Sequence, residues 1–154
     1  MGSTSAGGGS VDVRGQCYCG AIKYRVQIPE GGSSIFTAYC HCDSCRRAHS
    51  APLYQIAAVD EEHHEFTEGA EHLQEFQKPG AKVARAFCRI CGSKMLNRFP
   101  GWRPGGKVPV GIFPSTLEAS AQHALPQVLQ AQRHNCREET VLPRAMLQDF
   151  LAHE

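Results

Sequence analysis

Three cysteines fall within six residues, Cys40-His41-Cys42-Asp43-Ser44-Cys45, and two further pairs stand apart as Cys17-Tyr18-Cys19 and Cys88-Arg89-Ile90-Cys91. Thiols at this density have the spacing of metal ligands. Zinc takes thiolate sulfur at about 2.3 Å in a tetrahedron, and a single turn supplies two or three of its ligands. The C-x-C and C-x2-C pairs would supply two each, so Cys17, Cys19, Cys88 and Cys91 are expected to close a four-thiolate structural zinc site between distant parts of the chain. Cys40, Cys42 and Cys45 then form a second zinc site with one position open, the feature that catalytic sites keep for water or substrate. Three anionic ligands make the metal a poor activator of water but suit it to holding an incoming thiol as a thiolate. The expected chemistry is therefore on a substrate sulfur. Buried free thiols, disulfides and other pairings of the clusters are the competing accounts.

The residues around the triad divide in the same way between chemistry and packing. Arg46 and Arg47 follow it directly and are placed to grip substrate carboxylates, or to form a solvated face. His41 and His49 flank it as a proton shuttle or fourth ligand, against a hydrogen-bonding or surface role. Cys136 stands alone in the sequence and reads as a spare buried thiol. Asp43 and Ser44 read as caps of the turn. Trp102, Phe99 and Tyr54 would wall a pocket or pack as core, and His63-His64, among Glu61, Glu62 and Glu65, reads as solvent-facing.

The elements that must hold these residues are short. With 15 Gly and 9 Pro in 154 residues, turns are frequent and the profile is mainly β. Ile22, Tyr24, Val26 and Ile28 alternate with polar residues, as in a half-buried strand. Further strands are predicted at Ile35 to Tyr39, Leu53 to Val59, Lys82 to Phe87, Met95 to Phe99 and Val108 to Phe113, the last an edge strand because of Pro109. Phe66 to Phe76 reads as a meander, Ser44 to His49 as one helical turn, and Thr140 to Phe150 as a short C-terminal helix with Met146, Leu147, Phe150 and Leu151 on its apolar face. Residues 1–10 read as a flexible leader and 11–154 as a single domain. No run approaches the roughly 20 apolar residues of a membrane span, no secretory signal is seen, and a reducing, cytoplasmic setting is expected. The formal charge of +1 does not favour nucleic acid as a partner.

Taken together, Gly15-x-Cys17-x-Cys19-Gly20, Cys40-His41-Cys42-x-x-Cys45-Arg46-Arg47 and Phe87-Cys88-x-x-Cys91-Gly92-Ser93 resemble the glutathione-dependent formaldehyde-activating enzyme family, which includes centromere protein V. The resemblance implies a β-tent fold of short coiled antiparallel sheets around the two zinc sites. It implies a carbon–sulfur lyase activity that forms or cleaves S-(hydroxymethyl)glutathione, with glutathione and a small aldehyde such as formaldehyde as partners. The centromeric relatives imply the alternative of a non-catalytic zinc module for a protein or chromatin partner. The chain differs from the family pattern at Ser50-Ala51, where relatives often carry Gly-Ala, and at Pro126-Gln127-Val128-Leu129, which lacks a histidine common in relatives.

Overall fold

The computed structural model describes residues 9–151. The expected leader falls outside the described residues apart from Gly9 and Ser10. Strands β1 (Val11–Gln16) and β2 (Lys23–Ile28) form a hairpin around the first cysteine pair. Strand β3 (Phe36–Cys40) leads into helix α1 (Asp43–His49), and β4 (Tyr54–Asp60) returns alongside β3. Then come β5 (His64–Glu68), β6 (Leu73–Gln77), β7 (Ala84–Cys88), β8 (Lys94–Arg98) and β9 (Pro109–Ile112). Helix α2 (Ala119–His123), the two-residue strand β10 (His134–Asn135) and helix α3 (Arg144–Leu151) follow. The C-terminal helix is where its pattern placed it; Phe150 and Leu151 of its expected apolar face lie outside the described side chains.

Two open sheets result, β1-β2-β5 with three strands and β10-β3-β4-β9-β8-β7-β6 with seven. The alternation in β2 explains how they pack. Tyr24, Val26 and Ile28 are buried on one face, and they join Val13 of β1, Val59 of β4, Ala86 of β7 and Val110 and Ile112 of β9 in one core. Each valine or isoleucine among them contributes roughly 1.5–3 kcal/mol when fully buried. The opposite side of the larger sheet carries a second apolar cluster of Ala38, Ile56 and Phe113, flanked by Phe36, Tyr54 and Phe99. The large sheet thus has one face for the core and one for an aromatic patch beside α1.

Three local expectations are corrected. β5 and β6 are not neighbours in a meander: β5 pairs with β2, and β6 pairs with β7 in the other sheet. The chain crosses between sheets at Gly69, whose φ of 72° and close approach to the Ala21 carbonyl leave no room for a side chain. β9 is not an edge strand, because it lies between β4 and β8. Pro109 is tolerated there as the first residue of the strand. His64 is not solvent-facing, since its ring stacks on Tyr24 with centroids 5.3 Å apart and meets Phe66 edge-on. Among the described residues no helix is long and apolar enough to cross a membrane.

Burial holds His64 neutral, its pKa pushed down to about 4 with a smaller contribution from Arg98. A base whose folded pKa is depressed contributes stability that is fully present above the unfolded value near 6.5 and is lost as pH falls from there toward 4. At pH 5 this costs about 2 kcal/mol. His64→Phe is expected to lose stability less steeply than the wild-type chain between pH 7 and 5, as read from denaturant midpoints; identical slopes would exclude the assignment.

Candidate metal centre

The cysteine turn between β1 and β2 and the one between β7 and β8 come together at one end of the two sheets. Cys17, Cys19, Cys88 and Cys91 have their sulfurs all within 4.8 Å of one another. Cys17 Sγ lies 3.5 Å from Cys19 Sγ, which lies 3.9 Å from Cys88 Sγ. A tetrahedron with 2.3 Å metal–sulfur bonds has edges of about 3.8 Å, so the donor set fits a four-thiolate metal. All the cysteines are free thiols, and separations of this size exclude a disulfide. Backbone groups support the sulfurs: the Ile22 N–H donates to Cys17 Sγ at 3.3 Å. The two turns are also tied directly, the Tyr18 N–H donating to Ser93 Oγ at 2.8 Å. Gly92, with φ 79°, makes the bend after the last cysteine that no branched residue would accept.

Cys40, Cys42 and Cys45 form the second cluster, again with sulfurs mutually within 4.8 Å. Their placement follows from the join of β3 to α1. Cys40 ends the strand, Cys42 is the N-cap of the helix and accepts the Cys45 N–H on its sulfur at 3.2 Å, and Cys45 is buried one turn on. Cys40 Sγ and Cys45 Sγ are 3.5 Å apart. The hydrogen bond from Cys40, with help from Cys42 and Arg85 and against the cost of burial, holds Cys45 well below the ordinary thiol range. The same contact and burial push Cys40 up. Three sulfurs fit three corners of such a tetrahedron.

The surroundings of Cys45 were not legible in the motif. Arg85 Nη2 donates to its sulfur at 3.6 Å, and Arg85 Nη1 is 3.3 Å from His49 Nε2. Tyr54 Oη is 3.8 Å from the same sulfur and accepts from Asn97 Nδ2 at 3.3 Å. His49 stacks on Tyr54 at 4.0 Å and meets Phe113 edge-on, so burial, then Arg85 and Lys94, push its pKa down to about 4 and keep it neutral. Period-two alternation in β7 was the available signal: Ala84, Ala86 and Cys88 are buried toward the core, which turns Arg85 and Phe87 to the other face.

In front of this face opens a cleft of about 880 Å³, lined among others by Cys42, Cys45, Arg47, Phe76, Lys82, Arg85 and Lys94. Arg47 sits on its rim, ion-paired with Asp43 at 3.0 Å. Arg46 is placed differently: its Nε donates to the His41 carbonyl at 3.0 Å, which fastens the triad loop rather than facing the cleft. Phe99 and Trp102 pack with Phe36 away from the sulfurs.

Cys136 does not stand alone. β10 pairs in parallel with β3, Asn135 opposite Cys40, and the His41 N–H donates to the Asn135 carbonyl at 3.0 Å, which brings the Cys136 turn beside the triad. Burial, then Glu139 and Glu138, push the Cys136 thiol up, and its sulfur lies within 4.8 Å of a carboxylate oxygen of each. Buried His41 bonds His134 at 2.9 Å and Thr140 at 3.1 Å, so its role is to bind this segment to the triad loop. Ser50 closes α1 with φ 51° and ψ 42°, the left-handed conformation that glycine adopts without cost.

The profile of the family described as glutathione-dependent formaldehyde-activating enzyme matches residues 12–130. A Halomonas elongata protein, provisionally named as such an enzyme, is 30% identical over 97 residues, which cover 58% of this chain and 58% of that protein. The chain thus aligns with less than two thirds of that relative. A crystal structure of a Rhodobacter sphaeroides protein superposes with a TM-score of 0.55 at 24% identity, covering 79% of this chain and 99% of the other, a likeness of fold.

Ser50→Gly relieves the left-handed strain at the end of α1 and is expected to raise stability by about 1 kcal/mol. Denaturant unfolding of the two proteins at equal metal content measures it; an unchanged or lower midpoint would show that the helix end bears no strain.

Proposed function

Because the chain belongs to the glutathione-dependent formaldehyde-activating enzyme family, we propose that it is a zinc-dependent carbon–sulfur lyase that forms or cleaves S-(hydroxymethyl)glutathione. The observation that carries this reading is the three-sulfur cluster open to a cation-lined cleft, beside a separate cluster that is complete with four. Cys17, Cys19, Cys88 and Cys91 would hold a structural zinc, and Cys40, Cys42 and Cys45 the second. When bound there, zinc would supply a place for the substrate's sulfur as a nucleophilic thiolate.

The chain's own residues account for the rest. Glutathione carries two carboxylates, and Arg47, Lys82 and Lys94 line the cleft with charge of the right sign for them. Arg46 holds the loop that presents the sulfurs. Phe76 and Phe87 give the cleft an apolar wall for the peptide's methylene groups. In the forward direction the thiol loses its proton, its sulfur bonds to the carbonyl carbon of formaldehyde, and the carbonyl π pair moves to oxygen, which takes up a proton. The reverse breaks the same carbon–sulfur bond. Rate enhancement comes from positioning the two reactants. Residues 11–154 would act as one domain in the cytoplasm, where glutathione is abundant and thiols stay reduced.

Magnetization-exchange spectroscopy of glutathione with formaldehyde is expected to show acceleration by the protein. Cys42→Ser should abolish it while the circular dichroism spectrum stays unchanged. No acceleration over the spontaneous reaction would sink this substrate assignment. Cys88→Ala is expected to cost the fold itself, since structural zinc binding contributes roughly 10–16 kcal/mol against a total stability of roughly 5–15 kcal/mol. A folded Cys88→Ala chain with metal content equal to wild type would contradict the structural site.

A further inference from the structure

The charge around the triad poses a problem that the cysteines alone do not solve. Three thiolates and one divalent cation sum to a net charge of −1, and a fourth sulfur that binds as a thiolate brings the centre to −2 in a half-buried site. The cations near the triad are not equally placed to answer this. Arg47 and, behind the triad loop, Arg46 are paired with Asp43, Lys94 lies over the Phe87 ring with its nitrogen 5.0 Å from the centroid, and Lys78 and Lys82 line the cleft without a hydrogen bond to a triad sulfur among the described residues. Arg85 is the cation in direct contact with a triad sulfur, at 3.6 Å from Cys45 Sγ.

Its position is fixed from behind. Strand pairing sets Arg85 opposite Asn97, and His49, stacked on Tyr54, takes its other terminal nitrogen at 3.3 Å. Among the described residues no carboxylate lies within ion-pair distance of Arg85, while nearby Glu75 is taken by Arg98 at 3.2 Å. The guanidinium is thus held at Cys45 Sγ with no carboxylate partner among the described residues.

We propose that Arg85 is the counter-charge that lets the triad take a fourth sulfur as a thiolate, acting on the sulfur of the substrate and not on its carboxylates. It is a positioning residue that sets thiol affinity, and it makes the site accept small neutral thiols as well as glutathione at their sulfur end. The inference rests on the thiol-binding reading given above.

The test is a thiol titration of the cobalt-substituted protein, followed by thiolate-to-cobalt charge-transfer absorption, for wild type, Arg85→Gln and Arg85→Lys. Two probes are used: glutathione, and 2-mercaptoethanol, which has no carboxylate. Arg85→Gln is expected to weaken both by the same factor, on the order of 10- to 100-fold, the scale of a hydrogen bond to a charged group. Arg85→Lys should restore most of it for both. Weakening for glutathione alone would make Arg85 a carboxylate grip and overturn the proposal, as would no weakening for either thiol. If Arg85→Gln releases cobalt from the triad, Arg85→Lys decides: near wild-type affinity for both thiols supports the counter-charge, and weakened binding overturns it. A wild-type protein that binds neither thiol defeats the functional reading itself, a result distinct from a dispensable Arg85.

Discussion

The convergence of Cys17, Cys19, Cys88 and Cys91 is the constraint on which the rest of the architecture depends. The first pair lies in the hairpin of the three-stranded sheet and the second between two strands of the seven-stranded one. The cluster therefore joins the sheets at one end, and the core of Tyr24, Val26, Val59, Ala86 and Ile112 fills the space that opens between them. A chain with short strands and many turns has little area over which to hold two sheets in register by burial alone. A metal held by the four sulfurs would supply what that area does not.

Clamping the sheets in this way leaves the second face of the large sheet available. β7 turns Ala84, Ala86 and Cys88 inward, and so presents Arg85 and Phe87 outward. The outward face meets α1 through Tyr54, His49 and Phe113, and Cys45 lies where these aromatics and Arg85 meet. One alternation of a single strand thus serves both stability and the site. Changes that shift the register of β7 by one residue would exchange the two sets and lose both.

The segment after β9 closes the site from the remaining side. Parallel pairing of β10 with β3, together with hydrogen bonds from His41 to His134 and Thr140 and from the Asp43 N–H to Glu139, fastens this late part of the chain to the triad loop. Its contribution had no periodic signal, because a two-residue strand carries none. The same is true of Cys136, isolated in sequence and adjacent to the triad in space. The burial of His64 has a similar origin: its acidic neighbours imply solvent, but the face on which it lies is decided by pairing with β2.

By itself the sequence determined the donor chemistry and most of the elements. Cysteine spacing is a local property, and a C-x-C turn, a C-x2-C knuckle or a strand with period two is specified by residues within a few positions of one another. Local spacing defined three cysteine clusters and pointed to a set of four and a set of three while leaving other pairings open, and the structure brings those two sets together. Only the tertiary structure decided what surrounds the open set. Arg85 and Tyr54 reach Cys45 from two different strands and Asn97, from a third, donates to Tyr54, while Arg46 turns to a backbone carbonyl and Arg47 stays on the cleft. Those contacts depend on sheet order and register, which join residues far apart in the chain and leave no mark on the spacing of any one motif.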